Sequence, residues 1–216
     1  MKPIRTKICG ITRAEDAIIA ADAGADAIGL NFYAGSKRFV DPQVAQQVAN
    51  AVRGRVALVG VFVNSSLEEV SDIVNHVGLS HVQFHGDEQP SIVADMKTRL
   101  AGTFSIRAVR IREDDFESAQ NEINQWQNAG VDAVLLDAAA VGAYGGTGER
   151  LNWRALSQLE FKVPWLLAGG LDPDNVASAI TACEPGGVDV ASGVELSPGI
   201  KSEMLICKFV SESKAN

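Results

Sequence analysis

The chain has 216 residues, of which 46% are apolar and 21% are charged, proportions typical of a soluble globular protein with a full hydrophobic core. Its 27 acidic and 19 basic residues give a formal net charge of −8, which argues against nucleic acid or an anionic membrane surface as a partner. The sequence contains no run of about 18 apolar residues, so no transmembrane helix is predicted. The first residues lack the apolar segment of a signal peptide. The three cysteines are far apart in the sequence, which favours a reducing, cytoplasmic compartment.

Eight short runs of β-branched and other apolar residues predict eight strands. They recur along the whole chain about every 27 residues, since 216 divided by 8 is 27. Each run is continuously apolar and does not alternate with polar residues, which is typical of parallel strands covered by helices. The runs are Ile4–Cys9, Ala27–Phe32, Ala57–Val63, His81–His85, Phe104–Val109, Ala133–Asp137, Trp165–Ala168 and Val188–Ala191.

Helices are predicted between these strands. Two sets of apolar residues recur at helical spacing and each predicts one buried stripe: Leu67, Val70, Val74 and Val77, and Phe116, Ala119, Ile123 and Trp126. Four pairs have the spacing of helix starts: Thr12 with Glu15, Ser65 with Glu68, Asp41 with Pro42, and Asp172 with Pro173. Three glycines that directly precede a strand are expected to end helices in the left-handed conformation: Gly24, Gly130 and Gly187.

The alternation of eight strands with helices, without a linker or a change in composition, predicts a closed (β/α)8 barrel. We expect it to form a single domain over residues 1–216. An open doubly wound sheet is the competing architecture, but it usually has fewer strands, and its fingerprint Gly-x-Gly-x-x-Gly is absent from the chain. The barrel prediction places the active site at the carboxyl ends of the strands.

The loops after strands 7 and 8 carry the clearest binding signal. Gly169 and Gly170 follow strand 7, and Ser192 and Gly193 follow strand 8. Glycines at these positions let backbone N–H groups approach a phosphate, whose charge a following helix N-terminus stabilises. They would also suit ordinary turns, but both loops are at the standard phosphate position of such barrels. We therefore expect a phosphorylated small-molecule substrate.

Four other polar residues are expected at the same rim. Cys9 ends strand 1, where it is either an inert buried thiol or a base or nucleophile with a lowered pKa. Asp137 ends an apolar strand, where a carboxylate needs a partner or a catalytic role, so a catalytic acid is preferred over a helix cap. His85 is either a site residue or a structural rim histidine. Arg38 is suited to a bidentate contact with a carboxylate, the alternative being a solvated loop arginine. Structural positions are expected for Cys183, Cys207, His76 and His81.

Motifs along the whole chain, taken in order, resemble the phosphoribosylanthranilate isomerase family. The combination is highly specific because it covers nearly every predicted strand end. The motifs are Lys7–Thr12, Gly60–Asn64, Val82–Gly86, Leu135–Asp137, Gly145–Gly148, Leu167–Leu171, Val190–Glu195 and Pro198–Lys201.

The resemblance implies a single-domain (β/α)8 barrel that acts in tryptophan biosynthesis without a metal or cofactor. The implied reaction is the Amadori rearrangement of N-(5-phosphoribosyl)anthranilate to 1-(2-carboxyphenylamino)-1-deoxyribulose 5-phosphate. The resemblance also implies that Cys9 is the general base, that Asp137 is the general acid and that Arg38 contacts the substrate near its anthranilate end. An acid and a thiolate suffice for the two proton transfers of such a rearrangement.

The chain departs from the family pattern at three positions. Lys37 stands before Arg38 where the family usually has proline, Ala138 follows Asp137 where a hydroxyl residue is commoner, and Ser202 stands where an acid is common. Neither these positions nor the rest of the sequence decides between a monomer and a homodimer.

Other functions also remain open at this point. A different phosphosugar barrel isomerase would typically carry an aspartate at the end of strand 1, where this chain has Cys9. An epimerase would need a metal-ligand cluster, which the sequence lacks. A non-catalytic phosphosugar-binding barrel would have no need to keep both Cys9 and Asp137.

Overall fold

The computed structural model describes residues 3–111, 115–137 and 153–215. Within them, eight parallel strands close into a barrel in which each strand pairs with the next along the chain and the eighth pairs with the first. The barrel strands are β1 (Thr6–Cys9), β2 (Ala27–Asn31), β3 (Ala57–Phe62), β4 (His81–Phe84), β5 (Phe104–Arg110), β6 (Ala133–Asp137), β7 (Trp165–Ala168) and β8 (Gly187–Val190).

Helices surround the barrel, and a small hairpin lies between β8 and the last helix. The α-helices are α1 (Ala14–Ala23), α2 (Pro42–Ala51), α3 (Leu67–Val77), α4 (Ile92–Arg99), α5 (Phe116–Asn128), α6 (Val176–Cys183) and α7 (Glu203–Lys214). The 3-10 helices are Trp153–Gln158 and Ser192–Val194, and the antiparallel hairpin consists of β9 (Glu195–Ser197) and β10 (Ile200–Lys201). The predicted (β/α)8 barrel is confirmed, and every predicted strand end lies within two residues of the observed one.

Alternate residues of the strands pack into two separate cores. One core fills the barrel and consists of Ala27, Val59, Ile106, Ala108, Ala133, Leu135, Leu166 and Ala168. The larger core lies between strands and helices and includes Phe84 and Leu136 from the strands and Val74, Ile123 and Trp126 from the helices. Successive side chains of a strand point to opposite faces. This period of two therefore places Asp137 on the inward face with Ala133 and Leu135.

Several predicted helix features are confirmed. Gly24 ends α1 in the left-handed conformation, as expected. Asp41 accepts a hydrogen bond from the Gln43 N–H (2.9 Å), and Pro42 is the first residue of α2. The apolar stripes of α3 and α5 are buried in the core between strands and helices, so burial of one face is what holds each helix against the barrel.

Two other predicted helix starts are wrong. Ser66, and not Ser65, caps α3, since its side chain accepts a hydrogen bond from the Glu69 N–H (3.2 Å). Thr12 does not cap α1, because its hydroxyl donates to the Gly199 carbonyl (2.6 Å) in the loop of the small hairpin. The first difference arises because two adjacent serines can each cap α3. The second arises because a tertiary contact engages the Thr12 hydroxyl.

The segment after β7 also differs from the prediction. Asp172 and Pro173 form a turn in which the Asp172 side chain accepts a hydrogen bond from the Asp174 N–H (2.8 Å), and α6 begins only at Val176. Gly187 does not end a helix but begins β8. A Cβ atom there would lie 2.2 Å from the Ile4 carbonyl oxygen, so glycine is required by close strand packing.

None of the helices in the described ranges is long and apolar enough to cross a lipid bilayer.

Candidate active site

The carboxyl ends of the strands surround a pocket of about 360 Å³. It brings together seven of the eight predicted site residues, namely Cys9, Arg38, His85, Asp137, Gly169, Gly170 and Ser192. The remaining one, Gly193, lies behind the pocket wall. Among the residues that the structure describes, no group of three or more His, Cys, Asp or Glu side chains is arranged to hold a metal ion.

Cys9 lies at the end of β1, where its thiol is half-buried. Its neighbour across the strand pair is Gly29 of β2. A Cβ atom at position 29 would lie 2.6 Å from the Cys9 sulfur, which is far inside van der Waals contact. The glycine therefore leaves the space that the thiol occupies.

A buried ion pair joins the neighbouring strands β1 and β8 on the amino-terminal side of Cys9. The Lys7 Nζ atom lies 2.9 Å from Asp189 Oδ1, and the two side chains are 0% and 8% exposed. Burial raises the pKa of the Cys9 thiol above its ordinary value, and the Lys7 ammonium opposes that rise. Burial lowers the pKa of Lys7, but Asp189 and Cys9 outweigh that effect, so its pKa is raised. The Lys7 ammonium is therefore the nearby charge that favours the thiolate form of Cys9, against the effect of burial.

Asp137 and His85 are in contact at the opposite side of the pocket. His85 Nε2 lies 3.4 Å from Asp137 Oδ2, and both side chains are partly exposed. Gln83, two residues before His85, places its Nε2 3.3 Å from His85 Nδ1. The Gln83 Oε1 atom is buried and has no hydrogen-bond partner among the described residues. The pocket thus offers an acid and an imidazole to a ligand, with the Gln83 amide beneath the imidazole.

The loop after β7 lines the pocket and contains two glycines in the left-handed conformation. Gly169 and Gly170 have φ angles of 93° and 65°, which favour glycine. Asn175 holds the loop, since its Nδ2 donates to the Gly170 carbonyl (2.9 Å) and its Oδ1 accepts from the Asp172 N–H (2.9 Å). A buried asparagine therefore fixes a loop whose backbone lines the pocket.

Gly193, in the 3-10 helix after β8, packs against this loop. A Cβ atom at position 193 would lie 2.0 Å from the Leu171 carbonyl oxygen. Its φ is not in the left-handed region, so the glycine is needed for close approach of the two loops and not for backbone freedom. Ser192, one residue earlier, does line the pocket.

Arg38 already holds a carboxylate, although not from a ligand. Its Nε donates to Glu195 Oε1 (2.8 Å) and its Nη2 donates to Glu195 Oε2 (2.7 Å). The Lys201 Nζ also donates to Glu195 Oε1 (3.0 Å) and to the Ala191 carbonyl (2.9 Å). The sequence predicted a bidentate contact for Arg38 but not this partner, which is 157 residues away in the chain.

Sequence reasoning also missed Asp189 and Gln83 as pocket residues. Both stand on the inward face of a strand that carries a recognised rim motif, and the period of two was the available signal. Arg107 of β5 does not face the pocket. It points outward and binds Glu88 (2.9 Å) and Glu122 (2.7 Å). It lines an adjoining cavity of about 430 Å³ that shares His85 but not Cys9 or Asp137 with the pocket.

The residues expected to be structural lie away from the pocket. Cys183 is buried in α6, where burial raises its pKa to about 11, and Cys207 is exposed in α7. His81 is buried at the amino end of β4. Ser202 is the N-cap of α7. Ala138 and the Gly145–Gly148 motif lie outside the described residues.

The chain is similar to proteins of one family over almost its whole length. The family model described as N-(5'phosphoribosyl)anthranilate (PRA) isomerase matches residues 6–212. A protein of Magnetococcus marinus named N-(5'-phosphoribosyl)anthranilate isomerase is 43% identical over 207 residues, which are 96% of this chain and 93% of that protein.

Two crystal structures are similar over 99% of this chain and all of theirs, each with 34% identity. One is phosphoribosyl anthranilate isomerase in complex with reduced 1-(o-carboxyphenylamino)-1-deoxyribulose 5-phosphate, at a TM-score of 0.80. The other, at a TM-score of 0.78, contains mutually generated monomers of the dimeric enzyme from Thermotoga maritima.

Proposed function

The chain belongs to the N-(5'-phosphoribosyl)anthranilate isomerase family, and we propose that it catalyses that family's reaction in tryptophan biosynthesis. The reaction is the Amadori rearrangement of N-(5-phosphoribosyl)anthranilate to 1-(2-carboxyphenylamino)-1-deoxyribulose 5-phosphate. The observation that carries the proposal is a single pocket lined by Cys9, Asp137 and the glycine loop after β7.

In the first step, Asp137 protonates the ribose ring oxygen. The bond between that oxygen and C1′ breaks, the anthranilate nitrogen supplies its electron pair to C1′, and an open-chain Schiff base forms. His85 contacts the Asp137 carboxyl at 3.4 Å and orients it toward the ligand. A positioned carboxylic acid in a partly dry pocket is suited to this transfer.

In the second step, the Cys9 thiolate removes the proton from C2′. The electrons of the broken C–H bond form the C1′–C2′ double bond, and the π electrons of the C1′–N bond return to the anthranilate nitrogen, which gives an enol. The enol becomes the ketone of the product when C1′ takes up a proton and the C2′ hydroxyl loses one. Burial raises the pKa of Cys9, and Lys7 is the cation that opposes this rise and stabilises the thiolate.

The substrate phosphate is assigned to the backbone of the loops after β7 and β8, at Gly169, Gly170 and Ser192, with Gly193 packing the two loops together. In the barrel order, β7 and β8 lie between β6, which carries Asp137, and β1, which carries Cys9. A phosphate held there tethers the sugar within reach of both groups. Arg38 is assigned to the carboxylate at the anthranilate end.

The proposal is tested by the loss of phosphoribosylanthranilate fluorescence with purified protein. We expect turnover that persists in excess chelator, since two proton transfers need no Lewis acid. Absence of turnover, or loss on chelation with recovery on adding a divalent ion, would contradict it.

We also propose that the enzyme acts in the cytoplasm, where its biosynthetic family would encounter phosphorylated metabolites. It is expected to be a monomer or a homodimer. Sedimentation equilibrium of the purified chain measures which of the two forms is present.

A further inference from the structure

Arg38, Glu195 and Lys201 form a charged cluster at one wall of the pocket. The Lys201 side chain is 0% exposed, that of Glu195 is 5% exposed and that of Arg38, which lines the pocket, is 26% exposed. Both cations donate to the same carboxylate. Two positive charges therefore share one negative charge in a region that is largely shielded from water.

Of the other groups near this cluster, Cys9 acts on both Arg38 and Lys201 but carries a negative charge only as the thiolate. The remaining charged groups described near it do not neutralise the second cation. Lys7 is balanced by Asp189 in the ion pair between β1 and β8. Asp16 accepts a hydrogen bond from the backbone N–H of Lys201 (3.1 Å), but its carboxylate is balanced by Arg13 at 2.6 Å. This wall is thus left with an excess of one positive charge among the described side chains.

The pKa directions agree with this geometry. Burial lowers the pKa of the Lys201 ammonium, and the Glu195 carboxylate opposes that effect. Burial raises the pKa of Glu195, but its bonds to Arg38 and Lys201 outweigh burial and hold the pKa below its usual range. An excess charge in such a place is costly without a counter-charge, and a carboxylated ligand would supply one.

We propose that Lys201, acting through Glu195 and Arg38, is a specificity-determining residue that makes this wall select ligands with a ring carboxylate. The inference rests on the proposed function, since that substrate carries such a carboxylate. Arg38 uses Nε and Nη2 for Glu195, and its Nη1 is not engaged in those two bonds. When a ligand carboxylate binds at Nη1, that carboxylate and Glu195 together balance the two positive charges of Arg38 and Lys201.

The test compares two ligands that differ only in the carboxylate. One is reduced 1-(2-carboxyphenylamino)-1-deoxyribulose 5-phosphate, and the other is the same compound with an unsubstituted phenyl ring. Their dissociation constants are measured by calorimetry, and the ratio of the two constants is the carboxylate preference. We expect Lys201→Met to lower this preference about tenfold while the binding of the phenyl compound is unchanged, as for the loss of one charge near a shielded site.

A double variant makes the charge argument decisive. Lys201→Met with Glu195→Gln removes one cation and one anion, which leaves Arg38 with its full charge for the ligand. We expect it to recover most of the carboxylate preference that Lys201→Met loses. Failure to recover any of it overturns the inference. Should Lys201→Met fail to fold, Glu195→Gln alone leaves two cations without a carboxylate and must raise the preference; an unchanged or lower preference overturns the inference.

The control is Lys208→Met, which makes the same change at an exposed ion pair with Asp174 and should leave both dissociation constants unchanged. Equal weakening of both ligands by Lys201→Met would mean that Lys201 only supports the loop after β8 through the Ala191 carbonyl, and the inference would be wrong while the proposed function stands. If wild-type protein binds neither compound and does not turn over substrate, the proposed function itself is wrong.

Discussion

The strands β4 and β6 each carry the same ionisable residue type at or next to both of their ends. At the amino ends, His81 lies 2.9 Å from the Ser80 hydroxyl, and Asp132 accepts hydrogen bonds from the Ser105 N–H and hydroxyl (2.8 and 2.7 Å). At the carboxyl ends, the corresponding residues His85 and Asp137 contact each other and line the pocket.

The difference lies in what surrounds each pair and not in its chemistry. At the amino ends, His81 and Asp132 line a smaller cavity of about 140 Å³, and Asp132 is bound by Ser105 of β5, so these groups contribute to the stability of the barrel. Those at the carboxyl ends face an open cavity where a ligand can bind. One end of the barrel is therefore expected to respond to substitution in stability and the other in activity.

The largest effect is expected for Asp137→Asn compared with Asp132→Asn. Asparagine at 137 keeps the shape but cannot transfer a proton, so kcat should fall by about 10²–10⁴ while a product analogue binds nearly as well. Asparagine at 132 should leave kcat unchanged and lower the free energy of unfolding by about 1 kcal/mol through weaker bonds to Ser105. Steady-state kinetics, analogue titration and urea unfolding of both variants decide the matter. A loss of analogue affinity as large as the rate loss would mean that Asp137 only holds the substrate.

Cys9→Ala is expected to lower kcat by about 10²–10⁴, as for a removed general base, with Cys207→Ala as the exposed control. The raised pKa of the thiol adds a second expectation for the wild type. Since the thiolate is the active form, kcat/KM should keep rising with pH up to and beyond pH 9. A rate that is flat from pH 7 upward, or near-normal turnover by Cys9→Ala, would contradict the assignment.

His81 gives the amino end of the barrel a pH dependence of stability. Burial lowers its pKa to about 4 from an ordinary 6.5. Between these values the unfolded chain binds the extra proton, so the free energy of unfolding falls as the pH falls, by about 3 kcal/mol in all. In His81→Gln this part of the slope should vanish, while kcat at pH 8 stays the same. Identical slopes in urea unfolding of the two proteins between pH 6.5 and 4 would refute the expectation.

The smallest effects are expected for glycine-to-alanine changes in the two loops after β7 and β8, and they are measured as the affinity for a phosphorylated analogue. Gly193→Ala forces a Cβ against the Leu171 carbonyl and should weaken binding of a phosphorylated product analogue about tenfold or more. Gly170→Ala meets no atom within 4 Å but has a φ of +65°, which costs about 1 kcal/mol, so a smaller loss of affinity is expected. Gly102→Ala has the same kind of φ with open space around it, far from the site, and is the control for strain alone. Unchanged affinity in both loop variants would place the phosphate elsewhere.

Several features of this protein could be read from the sequence because they depend on local pattern. Continuous apolar runs determine the eight strands, and their regular recurrence determines the barrel. A strand end then places Cys9 and Asp137 at the rim, and glycine after β7 marks a loop whose backbone lines the pocket. Where two adjacent residues can each cap a helix, as Ser65 and Ser66 can, the sequence pattern does not determine at which of them the helix begins.

Only the tertiary structure decided which charged groups meet. Lys7 and Asp189 are 182 residues apart, and they pair because β8 closes the barrel against β1. Arg38 and Glu195 are 157 residues apart, and Gly193 is needed because of a carbonyl from another loop. Such contacts depend on barrel closure and on how loops from distant strands pack, and no local pattern in the sequence encodes them.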